Sequence, residues 1–199
     1  MRKAKLLLAL FVASSLFLLS ACGAQDSQEQ GASEEEVVDN RSPEEILFDT
    51  FEGVQFTEFK LNDEHPPRRD MEKPKLEVFY LPKAEDAVVR NFSVSVEPCG
   101  YLCEKIKDSD AWDGFVFDED TTQDIGVTTI SGVDVYYVMN TITFNGEPMT
   151  DFVAAYQHDD YYVRTMLQEG YEIDGDTIDP DQAKTIAFLA IQEVIDGTK

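Results

Sequence analysis

The chain has 199 residues, of which 40 are acidic and 16 basic, for a formal net charge of −24. A field of that sign repels phosphate backbones and anionic lipid, which argues against nucleic-acid binding and against charge-driven membrane attachment. It favours solubility, cations or a basic partner, and 13 Phe with eight Tyr supply ample material for one core.

Arg2, Lys3 and Lys5 make a positive start, and Leu6 to Leu18 follow without a charge. As a helix this run reaches only about 20 Å, against roughly 30 Å for a bilayer core. It therefore reads as the core of a signal peptide and not as a membrane span. Small residues then precede a cysteine in Leu19-Ser20-Ala21-Cys22. This stretch resembles the lipobox of bacterial lipoproteins. The resemblance implies cleavage in front of Cys22, a diacylglyceryl group on its thiol and an extracytoplasmic chain anchored to the membrane by lipid. Loss of residues 1–21 leaves 13 basic against 40 acidic residues, a net charge of −27.

Residues 22–41 read as the lipidated cysteine and a flexible acidic tether. They hold Val37 and Val38 but no aromatic side chain, and are rich in Gln, Ser, Gly and Glu. Such a composition buries too little apolar surface to order itself. A coil of that length spans roughly 25 Å, enough to lift a domain clear of the lipid head groups. Residues 42–199 then form a single domain.

Ser42-Pro43-Glu44-Glu45 predicts a helix start, with Ser42 as cap, Pro43 in the first turn and Glu45 closing a capping box. Ile46, Leu47 and Phe51 are expected on its inner face, and Gly53 at its end. Short aromatic or alternating runs predict strands over Val54–Leu61, Leu76–Leu81 and Val88–Val96, with a loop from Asn62 to Pro74. A loop or short helix is expected over Glu97–Asp110, then acidic, turn-rich sequence to Gln123. A meander follows: Val133–Phe144, a turn begun by Asn145-Gly146, Phe152–Gln157, a turn at His158–Asp160, and Tyr161–Gln168. Asp179 and Pro180 open a last helix, with Gln182 placed for a capping box. Ala183, Ile186, Ala187, Ala190 and Val194 form its apolar stripe.

The fold class is thus α+β: an antiparallel sheet with a C-terminal meander, flanked by an N-terminal and a C-terminal helix. Over residues 42 to 196 this element order is similar to the PsbP-like sandwich found in many bacterial lipoproteins of unknown role. The resemblance is one of layout, matches no diagnostic motif and brings no functional residues with it.

Cys99 and Cys103 are the remaining cysteines, and outside the membrane such a pair tends to oxidise. Four residues along a strand cover about 13 Å, too far for a disulfide, so the bond requires a turn, which Gly100 helps to supply. The spacing is also similar to the copper-binding pair of Sco-type chaperones. That family carries a proline after the second cysteine and a thioredoxin-like fold, whereas Glu104 follows here in a different strand order.

His65 lies in a proline-rich loop, and His158 stands at a turn beside Asp159 and Asp160, a cluster able in principle to hold a cation or move a proton. Two acidic runs, Asp118 to Asp124 and Asp174 to Asp181, raise weak calcium binding as the one cofactor possibility, but neither has EF-hand spacing. No nucleophile elbow, phosphate loop, zincin or dinucleotide motif is present. The expectation is a non-catalytic binding or accessory domain at the cell envelope, meeting a protein or small ligand; the alternative is an envelope enzyme acting on cell wall or glycan. Tyr136, Tyr137, Tyr161 and Tyr162 are adjacent pairs on strands, so one of each pair turns from the core and is a contact residue if that sheet face is open.

Overall fold

A computed structural model describes residues 40–87, 89–108, 121–144, 147–169 and 179–199. The signal segment, Cys22 and the tether as far as Asp39, the Asn145-Gly146 turn, Asp118–Asp120, Asp174 and Asp176 lie outside the described residues.

In chain order the elements are α1 (Pro43–Glu52), β1 (Phe59–Leu61), β2 (Arg68–Asp70), β3 (Lys75–Pro82), β4 (Val89–Pro98), α2 (Leu102–Lys105), β5 (Thr121–Ile130), β6 (Val133–Phe144), β7 (Glu147–His158), β8 (Tyr161–Glu169) and α3 (Pro180–Gly197). The strands form one eight-stranded sheet in the order β1-β3-β4-β8-β7-β6-β5, with β2 also on β3 and every pairing antiparallel. The α+β class, the meander and the two terminal helices are as the sequence predicts.

Alternation decides the two faces of the sheet. Leu76, Val78 and Tyr80 of β3, Phe92, Val94 and Val96 of β4, and Phe152, Ala154 and Tyr156 of β7 point to the same side. There they meet α1 and α3, whose Phe48, Phe51, Ala187, Ala190, Ile191 and Val194 are buried. Each large side chain fully buried here stabilises by about 1.5–3 kcal/mol, so this layer holds the domain together. Both sequence-predicted caps of α1 are made: the Ser42 hydroxyl accepts the Glu45 amide at 3.1 Å, and Glu45 accepts the Ser42 amide at 2.8 Å.

Several expectations need correction. Leu47 and Phe51 pack on the core as expected and Phe48 joins them, while Ile46 is exposed. In α3 the Asp179 carboxylate takes the Asp181 amide, one residue short of a capping box with Gln182. The loop over Asn62–Pro74 contains β2, an exposed three-residue strand that polar residues disguise. β5 occupies a stretch without clear alternation; the signal for it is Ser131-Gly132, a two-residue turn with positive φ at both positions, closing the β5–β6 hairpin. Finally, the run Val54–Leu61 is strand only from Phe59. Residues 54–58 leave the sheet and lie along α3.

Candidate functional site

That departure creates a groove. Its walls are the 53–59 segment on one side and the outer flank of α3 on the other, and it encloses about 680 Å³, within the common range for ligand pockets. Gly53, Val54, Phe59, Ile186, Leu189 and Ala190 supply its apolar floor and sides. Glu58, Glu193 and Asp196 stand along it as carboxylates.

The groove is built from contacts that hold both walls. Val54 and Phe56 are buried and pin the segment at alternate positions. Phe56 packs edge-on to Tyr80 at 4.5 Å and to Phe92 at 5.4 Å, inside the main core. Lys83 Nζ donates to the Phe56 carbonyl at 2.6 Å, and the Lys83 amide donates to the Glu58 carbonyl at 2.8 Å. From the other side the Glu193 carboxylate accepts the Thr57 amide at 3.0 Å and the Thr57 hydroxyl. Gly197 lets the helix end close on Val54: a Cβ there would meet a Val54 methyl at 3.3 Å. Leu189 lies off the buried stripe of α3 and is 55% exposed.

The carboxylates of the groove differ. Lys199 Nζ bonds Asp196 at 2.8 Å, and that bond holds the Asp196 carboxyl below the usual carboxylate range. Among the described residues Glu193 is engaged by Thr57 alone, and Glu58 has no cation against it. The open carboxylates therefore sit beside the exposed Leu189 and the half-buried Ile186.

The residues singled out by the sequence are placed elsewhere. Cys99 and Cys103 are joined by a disulfide with Cα atoms 5.1 Å apart, and Gly100 takes positive φ in the turn between them. The Cys99 amide donates to the Asp160 carbonyl at 2.8 Å, tying this turn to the end of the β7–β8 hairpin. Cys103 and Ile106 lie on the sheet face away from α1 and α3, over Val138, Val153, Ala155 and Tyr162.

Each tyrosine pair splits between the faces, as strand alternation requires. Tyr137 and Tyr161 pack on the α1–α3 side, Tyr136 and Tyr162 on the α2 side. Tyr137 and Tyr162 are each only 8% exposed, so neither offers a contact surface. For Tyr162 the physical reason is the disulfide-bonded turn, whose Cys103 and Ile106 share its cluster, and for Tyr137 it is α3, whose Phe188 packs edge-on to the ring. Tyr137 stacks on Phe152 with ring centroids 5.6 Å apart, and its hydroxyl accepts from Lys184 at 2.8 Å.

His158 packs edge-on to Phe51 at 5.4 Å, and His65 lies 6.5 Å from the Phe79 ring. Asp124 is paired with Lys184 at 2.8 Å, and Asp179 caps α3. No group of three or more His, Cys, Asp or Glu side chains with metal-holding geometry occurs among the described residues.

A second polar arrangement crosses the α2-side face. Asn91, Gln168, Asp151, Asn140 and Gln123 are successive neighbours on β4, β8, β7, β6 and β5. Asn91 donates to Gln168 at 3.0 Å and Gln123 to Asn140 at 3.1 Å. Burial pushes the Asp151 carboxyl up from its ordinary range. Side-chain bonds within the row link β4 to β8 and β5 to β6.

No family model matches the chain, and no curated protein does. Among solved structures, LpqN, described as involved in cell envelope biogenesis of Mycobacterium tuberculosis, is similar at 11% identity. The match covers 70% of this chain and 77% of that one with a TM-score of 0.31. Cyanobacterial PsbP from Synechocystis sp. PCC 6803 is similar at 9% identity over 73% of this chain and 94% of that one, with a TM-score of 0.30. Overlap of that extent carries no functional assignment to this chain.

Proposed function

We propose that the chain is an extracytoplasmic lipoprotein, held at the membrane by lipid on Cys22, whose α+β domain is a binding module. Its binding site is the groove between residues 53–59 and α3. The observation that carries this reading is the combination of walls braced from both sides with a concave apolar lining between them, where Leu189 is exposed and Ile186 half-buried. Preorganised walls lower the ordering cost that a ligand must meet on binding. A concave, mainly apolar lining with a few placed polar groups is the common make-up of a ligand site.

Two measurements test the reading. Mass spectrometry of the membrane-extracted protein is expected to show an N-terminal peptide beginning at Cys22 and carrying acyl mass, and Cys22→Ser is expected to move the protein to the aqueous fraction. An unmodified Cys22 at a membrane-free protein overturns the anchor. Nile red, a neutral apolar dye, is expected to bind with blue-shifted emission, and Leu189→Asp to remove most of that signal. An unchanged signal in Leu189→Asp overturns the groove as the site.

A further inference from the structure

We infer that the occupant of this groove is a basic, partly aliphatic peptide segment of a partner protein. The inference rests on the groove being a binding site and adds the chemistry of what fills it.

Three observations on the groove converge. First, the floor of Val54, Phe59, Ile186, Leu189 and Ala190 offers purchase to aliphatic side chains but few hydrogen-bonding partners. A ligand without apolar groups would leave the exposed part of that lining facing water. Second, three carboxylates stand along the same groove and, among the described residues, only Asp196 has a cation, Lys199. Glu58 and Glu193 are left to face a positive partner, and Glu193 is held in place by the Thr57 amide and hydroxyl. A carboxylate fixed by neutral donors keeps its charge available to a ligand cation. Third, the net charge of the chain has the same sign. From residue 108 to 199 there are 20 acidic residues against Arg164, Lys184 and Lys199. Such a field accelerates encounter with a cationic segment and repels acidic ones.

A lysine or arginine side chain suits both halves of the site. Its methylene stem can lie on Leu189 and Ile186 while its charged head reaches Glu58 or Glu193. A neighbouring aliphatic residue then fills the floor.

The test uses the chain from residue 22 onward carrying Cys22→Ser, with fluorescein-labelled seven-residue peptides read by anisotropy. One peptide alternates lysine with leucine, the second lysine with serine, and the third glutamate with leucine. The lysine–leucine peptide is expected to bind about tenfold more tightly than either of the others. Glu58→Gln with Glu193→Gln is expected to weaken it about tenfold, the glutamine at 193 keeping an acceptor for the Thr57 amide. Leu189→Ser is expected to weaken it by a similar factor, of about ten. Val127→Ser, equally exposed on β5, is expected to change nothing.

Equal binding of the lysine–serine and lysine–leucine peptides shows attraction to acidic surface alone and overturns the inference. So does an effect of Val127→Ser matching that of Leu189→Ser, or preference for the glutamate–leucine peptide. If Nile red binding depends on Leu189 while no peptide does, the ligand class is wrong and the groove remains a binding site. If neither depends on Leu189, the groove itself is wrong.

Discussion

Gly126 shows how one residue carries a packing decision. It lies on β5 opposite Tyr137 of β6, on the α1–α3 side of the sheet. A Cβ at Gly126 would meet the Tyr137 hydroxyl at 2.5 Å and ring carbon Cζ at 2.7 Å. The ring has nowhere to go: Phe152 stacks on one side, Phe188 packs edge-on at 5.3 Å, and Lys184 bonds its hydroxyl. Gly126→Ala is therefore expected to destabilise the domain by about 1–3 kcal/mol, the usual range for overpacking. Urea denaturation checks it, and a loss below 0.5 kcal/mol (roughly the scale of neutral surface changes) would show that the ring can move. Nothing in the local sequence distinguishes this glycine from a turn glycine, because the clash is with a residue of another strand.

Asp151 is the second residue with a definite expectation. Burial raises its carboxyl pKa in the folded chain above the ordinary value of 3.8. Between the ordinary and the raised value the folded state holds more protons than the unfolded state, so stability falls as pH rises through that window. Above it the folded chain carries a half-buried carboxylate at some cost. Asp151→Asn keeps the side-chain shape and the neighbours Gln168 and Asn140. It is expected to be more stable than the parent at pH 7, with the difference vanishing toward pH 3. A parent that is the more stable of the two at pH 7 contradicts the burial argument.

At the scale of elements, the Cys99–Cys103 turn and the 53–59 segment have opposite histories. The cysteine pair was legible in sequence because two thiols and a glycine within five residues define a local geometry. Its position over Val138, Val153 and Tyr162 was not, since that depends on the register of strands beginning some 30 residues later. Closing so small a loop stabilises by about 2 kcal/mol, through the unfolded chain. Cys99→Ala with Cys103→Ala is expected to lower Tm by about 4–8 °C in a domain of this size. A drop within 1 °C (roughly the scatter of such a scan) would mean that packing of Ile106 and its neighbours alone holds the turn.

The 53–59 segment illustrates the reverse. Its aromatic alternation is the pattern of a strand, and Val54, Phe56 and Phe59 are indeed buried. Burial alone cannot say whether the backbone pairs with a sheet or with side chains. Here the Thr57 amide goes to Glu193, 136 residues away, and only Phe59–Leu61 reach β3. One local signal pointed to the groove: Leu189 is an apolar residue outside the stripe of α3. It marks an uncovered surface but not the wall facing it.

At the scale of the whole molecule, charge sets the conditions under which the fold is stable. The chain after residue 21 carries −27, and self-repulsion of that order opposes compaction. Salt shortens the reach of charge from roughly 30 Å at 0.01 M to about 8 Å at 0.15 M. The urea midpoint is therefore expected to rise from 10 mM to 150 mM NaCl, conditions chosen on about that screening scale. A falling midpoint would show that attractive pairs such as Arg69 with Asp49 and Glu52 outweigh the repulsion. The same salt is expected to weaken capture of a lysine–leucine peptide.

The sequence by itself determined the α+β class, the meander, the caps at Ser42 and Asp179 and the split of each tyrosine pair between two faces. All of these rest on periodicity, capping chemistry or short turns, which are local and need no knowledge of distant partners. Tertiary structure decided what those elements leave open. The disulfide turn covers one face of the sheet, so Tyr162 is buried. Residues 54–58 leave the sheet for α3, so a groove opens beside Leu189. Both outcomes depend on pairings between residues far apart in the chain, and composition and spacing hold no record of them.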